Sequence, residues 1–178
     1  GLGGAGLYIF HAMLSMTALY LVAGLIERRT GASDTRFMGG LYATSAPLSI
    51  VFFVLVLGAA GIPPFLGFWP KLLLLQAGLL EGGWLGGLLV GALVLNAVLT
   101  VIAGSRLWAH VFWRPAPQPL PERRMERSPL FATVLLVALV VAAGLWPNGP
   151  FEVLRSGTPD LLDPSRYSAA VGLAEVNP

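Results

Sequence analysis

The chain has 178 residues, 56% of them hydrophobic and 11% charged, and its mean hydropathy of +0.75 lies far outside the range of soluble domains. It is therefore read as an integral membrane protein, and the pI near 9.4 is read as membrane orientation rather than as a nucleic-acid surface, because ten of the 11 basic residues are arginines in presumed loops and span ends. With no cysteine and only two histidines, the composition argues against disulfides, haem attachment, thiolate metal sites and a zinc centre.

Residues 7–26 are about 20 in number, roughly 30 Å of helix, and are expected to form the first span. Tyr8, His11 and Ser15 share one face of it, which could line a polar path. Glu27, Arg28 and Arg29 close this span with charge, and Arg36 and the Gly39-Gly40 pair extend the loop.

The next apolar block, residues 46–80, contains the stretch around which the chain is organised. Gly61-Ile62-Pro63-Pro64 and Gly67-Phe68-Trp69-Pro70-Lys71 put helix breakers and the only lysine of the chain inside an apolar run. Paired prolines remove two backbone donors and clash with the preceding turn, so one continuous helix is excluded there. Irregular backbone at membrane depth requires protein or a wet cavity to satisfy its free groups. An ionisable group beside a broken helix end is a common way to build an ion or proton site. A charged lysine at that depth costs a few kcal/mol, so it needs a compensating partner or water. The alternative is a lysine that snorkels to an interface and only anchors its helix. Burial would disfavour its charged form, as would the positive end of the helix starting near Pro70.

Charge determines how many times this block crosses. As one discontinuous helix broken at Pro63-Pro64, it leaves the basic loops at Arg28 to Arg36 and Arg114 to Arg127 on the same side, as the positive-inside rule requires; as two spans it would separate them.

Residues 84–108 form the third expected span, with Trp84, Trp108 and Trp113 as interfacial anchors and glycines at four-residue spacing that allow close helix approach. Asn96 and Thr100 are its polar residues at mid-depth. Together with Gln76 they read as interhelical hydrogen-bonding groups or as holders of water near Lys71. His110, at the end of that span, reads as interfacial. Residues 129–146 form the fourth span, which carries no charge and has only packing to do. The expected architecture is thus an all-α membrane protein with four transmembrane spans, the second discontinuous. Residues 1–150 make up the membrane region. Residues 151–178 are too polar to span and form a tail, with Asp163-Pro164 starting a short interfacial helix through Leu173.

No phosphate loop, nucleophile elbow or metal cluster is written here, so the residues suggest no enzyme and no cofactor. Lys71 is the first candidate for proton transfer. His11, which titrates near neutrality, is the second, against the alternative that it only bonds a neighbouring carbonyl.

These residues carry a family resemblance. Gly61-Ile62-Pro63-Pro64 with Gly67-Phe68-Trp69 and Lys71 resembles the broken-helix motif of the antiporter-like subunits shared by respiratory complex I and the multi-subunit Mrp cation/proton antiporters. His11 with Thr17 to Gly24, Ile26 to Gly31, Gly39-Gly40-Leu41, Arg106-Leu107-Trp108, Phe112-Trp113-Arg114 and Leu161-Leu162-Asp163-Pro164 resembles the D-type subunit of the Mrp antiporters. The resemblance implies the C-terminal part of a longer subunit in the plasma membrane, joined to other antiporter subunits. It also implies exchange of Na+ or K+ for protons, with His11 and Lys71 in a proton half-channel. Met16 departs from the pattern, since many members have a lysine there, so a relay would run through His11, Ser15 and water. A proton-pumping subunit of a complex I or hydrogenase type assembly, and a non-transporting membrane scaffold, are the competing readings.

Overall fold

The computed structural model describes residues 2–117, 127–149 and 151–152. Every regular element among them is helical: α1 (Leu2–Thr30), α2 (Leu41–Thr44), α3 (Ala46–Ala60), α4 (Phe68–Glu81), α5 (Gly83–Trp108) and α6 (Arg127–Leu145), with a 3-10 turn at Thr35–Phe37 and a π turn at Ala109–Trp113. The expected interfacial helix at Asp163 to Leu173 lies outside the described residues. Three helical stretches, Gly3–Thr30, Gly83–Trp113 and Ser128–Leu145, are long and apolar enough to cross a membrane; Ala46–Ala60 is apolar but shorter.

α1 begins five residues before the expected span, because Leu2 to Gly6 contains no breaker stronger than glycine. Beyond it, Asp34 caps the 3-10 turn by accepting from the Arg36 amide at 2.9 Å and pairs with the Arg36 guanidinium at 2.7 Å. That hydrogen bond holds the Asp34 carboxyl below the usual carboxylate range, but the pair is exposed and contributes little to stability. The Gly40 amide donates to the Arg114 carbonyl at 2.7 Å, so the arginine-bearing turns after α1 and after α5 meet at one end of the bundle. Tyr42 stacks on Trp113 there and meets Trp108 edge to face, and Trp108 lies tilted against Trp113.

α5 runs antiparallel to α3 and α4 taken in sequence. The Trp108 indole donates to Ser49 Oγ at 2.8 Å, Gly104 lies against Val56, Asn96 meets Lys71, and Gly86 lies against Gly78. α3 and α4 therefore occupy successive stretches of one partner helix. α1 packs against α3, α4 and α6. Two apolar clusters result. The larger joins Val22, Leu48, Phe52, Leu55 and Phe112, and the smaller joins Leu7, Leu66 and Val140. On the outside, α5 buries only Gly86 and presents Leu88, Leu95, Leu99 and Ile102, as expected of a surface that faces lipid or another apolar helix.

Candidate functional site

An α-helix leaves its last four carbonyls without intrahelical donors. In α3 these belong to Leu57, Gly58, Ala59 and Ala60, and each of them can be followed to a partner. Gly61, at φ +86°, turns the chain into the left-handed region that glycine adopts without strain. Its amide donates to the Gly58 carbonyl, and the Ile62 amide donates to the Leu57 carbonyl, both at 3.1 Å. This is the double bond pattern of a glycine-terminated helix. The carbonyls of Ala59 and Ala60 would be served in a continuing helix by residues 63 and 64, but both are prolines and have no N–H.

Lys71 supplies what the prolines withhold. Its Nζ donates to the Ala59 carbonyl at 2.9 Å, the Ala60 carbonyl at 2.8 Å and Asn96 Oδ1 at 3.2 Å, which uses all three ammonium hydrogens. The side chain is 5% exposed, so it does not snorkel to a surface within the described residues. Lys71 stands in the first turn of α4, as its spacing from the break predicts. Its ammonium, however, reaches back to the negative end of α3, where a cation is favoured, and not to the positive end of its own helix, which is the end the sequence brings to mind. Gly61 is indispensable to this arrangement in a second way, since a Cβ there would lie 2.6 Å from Lys71 Cδ. On sequence alone the break is credited to Pro63-Pro64, and Gly61 is named in the same motif without being given the helix end. Helix termination by a glycine with proline one or two residues beyond was the signal that could have found it.

His11 approaches the same break from α1. It is 3% exposed, and its Nδ1 lies 3.1 Å from Ser15 Oγ, also buried, as their shared face predicted. The rest of the ring lies over Gly67, where a Cβ would meet Nε2 at 2.6 Å. The carbonyl of Gly67 in turn lies beside Gly61 and the Lys71 stem. His11 and Lys71 thus border one irregular segment from different helices, with Gly67 between them. Met16 lies one turn further along α1, on an apolar cavity of about 440 Å³ that also touches Ala59 and Thr100. Gln76 is exposed and has no place in this cluster, and His110 is exposed at the far end of α5, with Nδ1 2.8 Å from the Arg106 carbonyl.

α6 does more than fill space, which is the role its uncharged sequence suggested. Gly144 abuts Pro64, Phe65 and Leu66, and its carbonyl accepts the Trp69 indole N–H at 2.8 Å. Trp69 also contacts Phe68 and Phe151 edge to face. Trp69→Phe keeps an aromatic ring and deletes the donor together with the pyrrole part of the indole. It is expected to cost about 1 kcal/mol and to lower the thermal midpoint of the purified assembly; an unchanged midpoint would mean that the bond carries no weight.

Apolar helices around a helix break that holds an ammonium define a helical membrane protein with a buried ionisable site. The chain belongs to the NADH:quinone oxidoreductase/Mrp antiporter transmembrane family, whose sequence model matches residues 3–100. It is similar to the D-type subunit of the Na(+)/H(+) antiporter of Bacillus subtilis (strain 168), with 30% identity over 94% of this chain and 34% of the relative. The A1 subunit of the Na(+)/H(+) antiporter of Staphylococcus aureus (strain JH9) is 32% identical over 79% of this chain and 19% of the relative. A chain in a solved structure of the Mrp complex from Dietzia sp. DQ12-45-1b superposes with a TM-score of 0.81 at 25% identity, covering 96% of this chain and 40% of that one. The chain thus spans about a third of the length of the Bacillus relative it matches.

Proposed function

We propose that this chain is part of a membrane subunit of a multi-subunit Na+ or K+/proton antiporter and provides a section of its proton path, with Lys71 and His11 as the proton-transfer groups. The observation that carries this reading is the ligand set of Lys71: two carbonyls and a carboxamide, all neutral. A lysine fixed permanently as a cation inside an apolar bundle is normally matched by a carboxylate. One held only by neutral oxygens can give up its proton without stranding an opposite charge. The buried His11 and Ser15 on the other side of Gly67 offer the next exchangeable protons.

In this reading the chain crosses the plasma membrane four times, and α3, the break and α4 together make the second crossing. Two observations support that count. α3 and α4 follow one another along α5, and the arginine-bearing turns at Arg36 and Arg114 touch, as expected of loops on one side. The remaining partners are the other antiporter subunits and lipid; most of the expected tail, residues 153–178, lies outside the described residues. The relatives named as Na(+)/H(+) antiporter subunits support the ion assignment.

Cation-dependent proton flux in inverted vesicles carrying the whole complex tests this, comparing wild type with Lys71→Ala at matched assembly. Flux in the variant should fall to the level of vesicles without the complex. Undiminished flux would leave the helix break as architecture and the chain as a scaffold.

A further inference from the structure

The third ligand of Lys71 differs in kind from the first two. The carbonyls of Ala59 and Ala60 are fixed backbone acceptors and cannot donate a hydrogen bond. Asn96 ends in a carboxamide, with an acceptor on one side and two donors on the other. As an ammonium, Lys71 has three N–H groups and needs three acceptors; as a neutral amine it has two N–H groups and a lone pair that needs a donor. Two fixed carbonyls and one reversible amide match both states. A half-turn of the Asn96 amide exchanges Oδ1 for Nδ2–H at the same position.

The surroundings permit that turn. Asn96 is exposed among the described residues, whereas Lys71 is buried, so within this chain the amide has room to turn. The backbone beneath it is held, since Thr100 Oγ1 donates to the Asn96 carbonyl at 2.7 Å. We infer that Asn96 is a positioning residue that serves Lys71 in both protonation states, by turning its amide as the lysine gains or loses a proton. The Nζ–H bond breaks with its electrons left on nitrogen, and water takes the proton as hydronium; the reverse step reloads the site. Asn96 itself exchanges no proton. This inference rests on the reading of Lys71 as a proton-transfer group.

Among the described residues, the other titratable or charged groups near Lys71 are few. On α1, His11 meets the break. α3 carries none, α4 has only Glu81 at its far end, and on α5 the one charged side chain is Arg106, ten residues or roughly 15 Å beyond Asn96.

The test measures the pH dependence of cation-driven proton flux in vesicles carrying the whole complex, with Asn96→Leu, Asn96→Asp and Lys71→Ala beside wild type. Asn96→Leu removes an acceptor from the ammonium and a donor from the amine; because the bond to the charged form is the stronger, the flux profile should move about one unit toward acid. Asn96→Asp puts a carboxylate there and should move it about one to three units toward alkali. A residue that only held α5 in place would not move the profile in opposite directions. If Asn96→Leu fails to assemble, Asn96→Ser, whose hydroxyl is too short to reach Nζ, takes its place with the same acid shift expected. Lost flux in Lys71→Ala together with unmoved or same-direction profiles for the Asn96 variants would overturn the Asn96 assignment alone. Retained flux in Lys71→Ala would overturn the reading beneath it.

Discussion

Lys71→Arg is expected to assemble with its complex and to transport nothing. The guanidinium keeps a permanent positive charge and several N–H donors, so it can still bond the carbonyls that Pro63 and Pro64 leave open on Ala59 and Ala60. It cannot give up a proton in a usable range, because the guanidinium stays protonated throughout the pH range in which the complex can be assayed. If Lys71 works by changing its protonation state, cation-dependent proton flux should therefore fall by several orders of magnitude, below detection. Lys71→Ala differs, since it also strands two buried carbonyls at about 1–3 kcal/mol each and should lower the thermal midpoint as well as the flux. Comparing the two variants separates the proton from the cation. Substantial flux with arginine would make Lys71 a structural ligand of the α3 terminus and remove it from the proton path.

Gly67→Ala should be among the most damaging small substitutions in the chain, although its φ of −64° suits any residue. Space makes it necessary: a Cβ would run into the Gly58 carbonyl and lie 2.6 Å from the His11 ring. The carbonyl belongs to the last turn of α3 and cannot swing away without undoing the Gly58 bond to Gly61. The ring could move only by giving up its contact with Ser15. Overpacking of this kind costs about 1–3 kcal/mol where flexible side chains absorb it, and a backbone atom leaves the upper end of that range or beyond. The expected outcome is a lowered thermal midpoint of the purified complex together with flux reduced about tenfold or more, since His11 and Lys71 are pushed apart. A variant with wild-type midpoint and flux would show that α1 can move away from the break, and that His11 need not sit against it.

Much of the candidate site was legible because it is written in residues with few alternatives. Prolines inside an apolar run, a single lysine after them and one histidine in an apolar helix are costly in a membrane. The interaction of His11 with Ser15 followed from helical spacing alone. Less legible was the stop of α3 at Ala60, three residues before the prolines to which the sequence assigns the break. A glycine is permissive and obliges nothing, so only the bonds from Gly61 and Ile62 reveal that it ends the helix. The part played by α6 was hidden for a similar reason. Gly144 acts through a missing side chain and a backbone carbonyl, neither of which marks a sequence.

The sequence by itself determined the membrane class, the helical character and which ionisable groups stand among the apolar helices. These follow from local chemistry: hydropathy, helical period and the cost of a buried charge. Only the tertiary structure decided which carbonyls the ammonium takes, that Asn96 is its third partner, and that Gly67 separates it from His11. Those are contacts between residues distant in the chain: Lys71 and Asn96 are 25 apart, and His11 and Gly67 further still. Their pairing is set by how α1, α3, α4, α5 and α6 pack, and helical periodicity specifies which face is apolar without specifying which neighbour meets it.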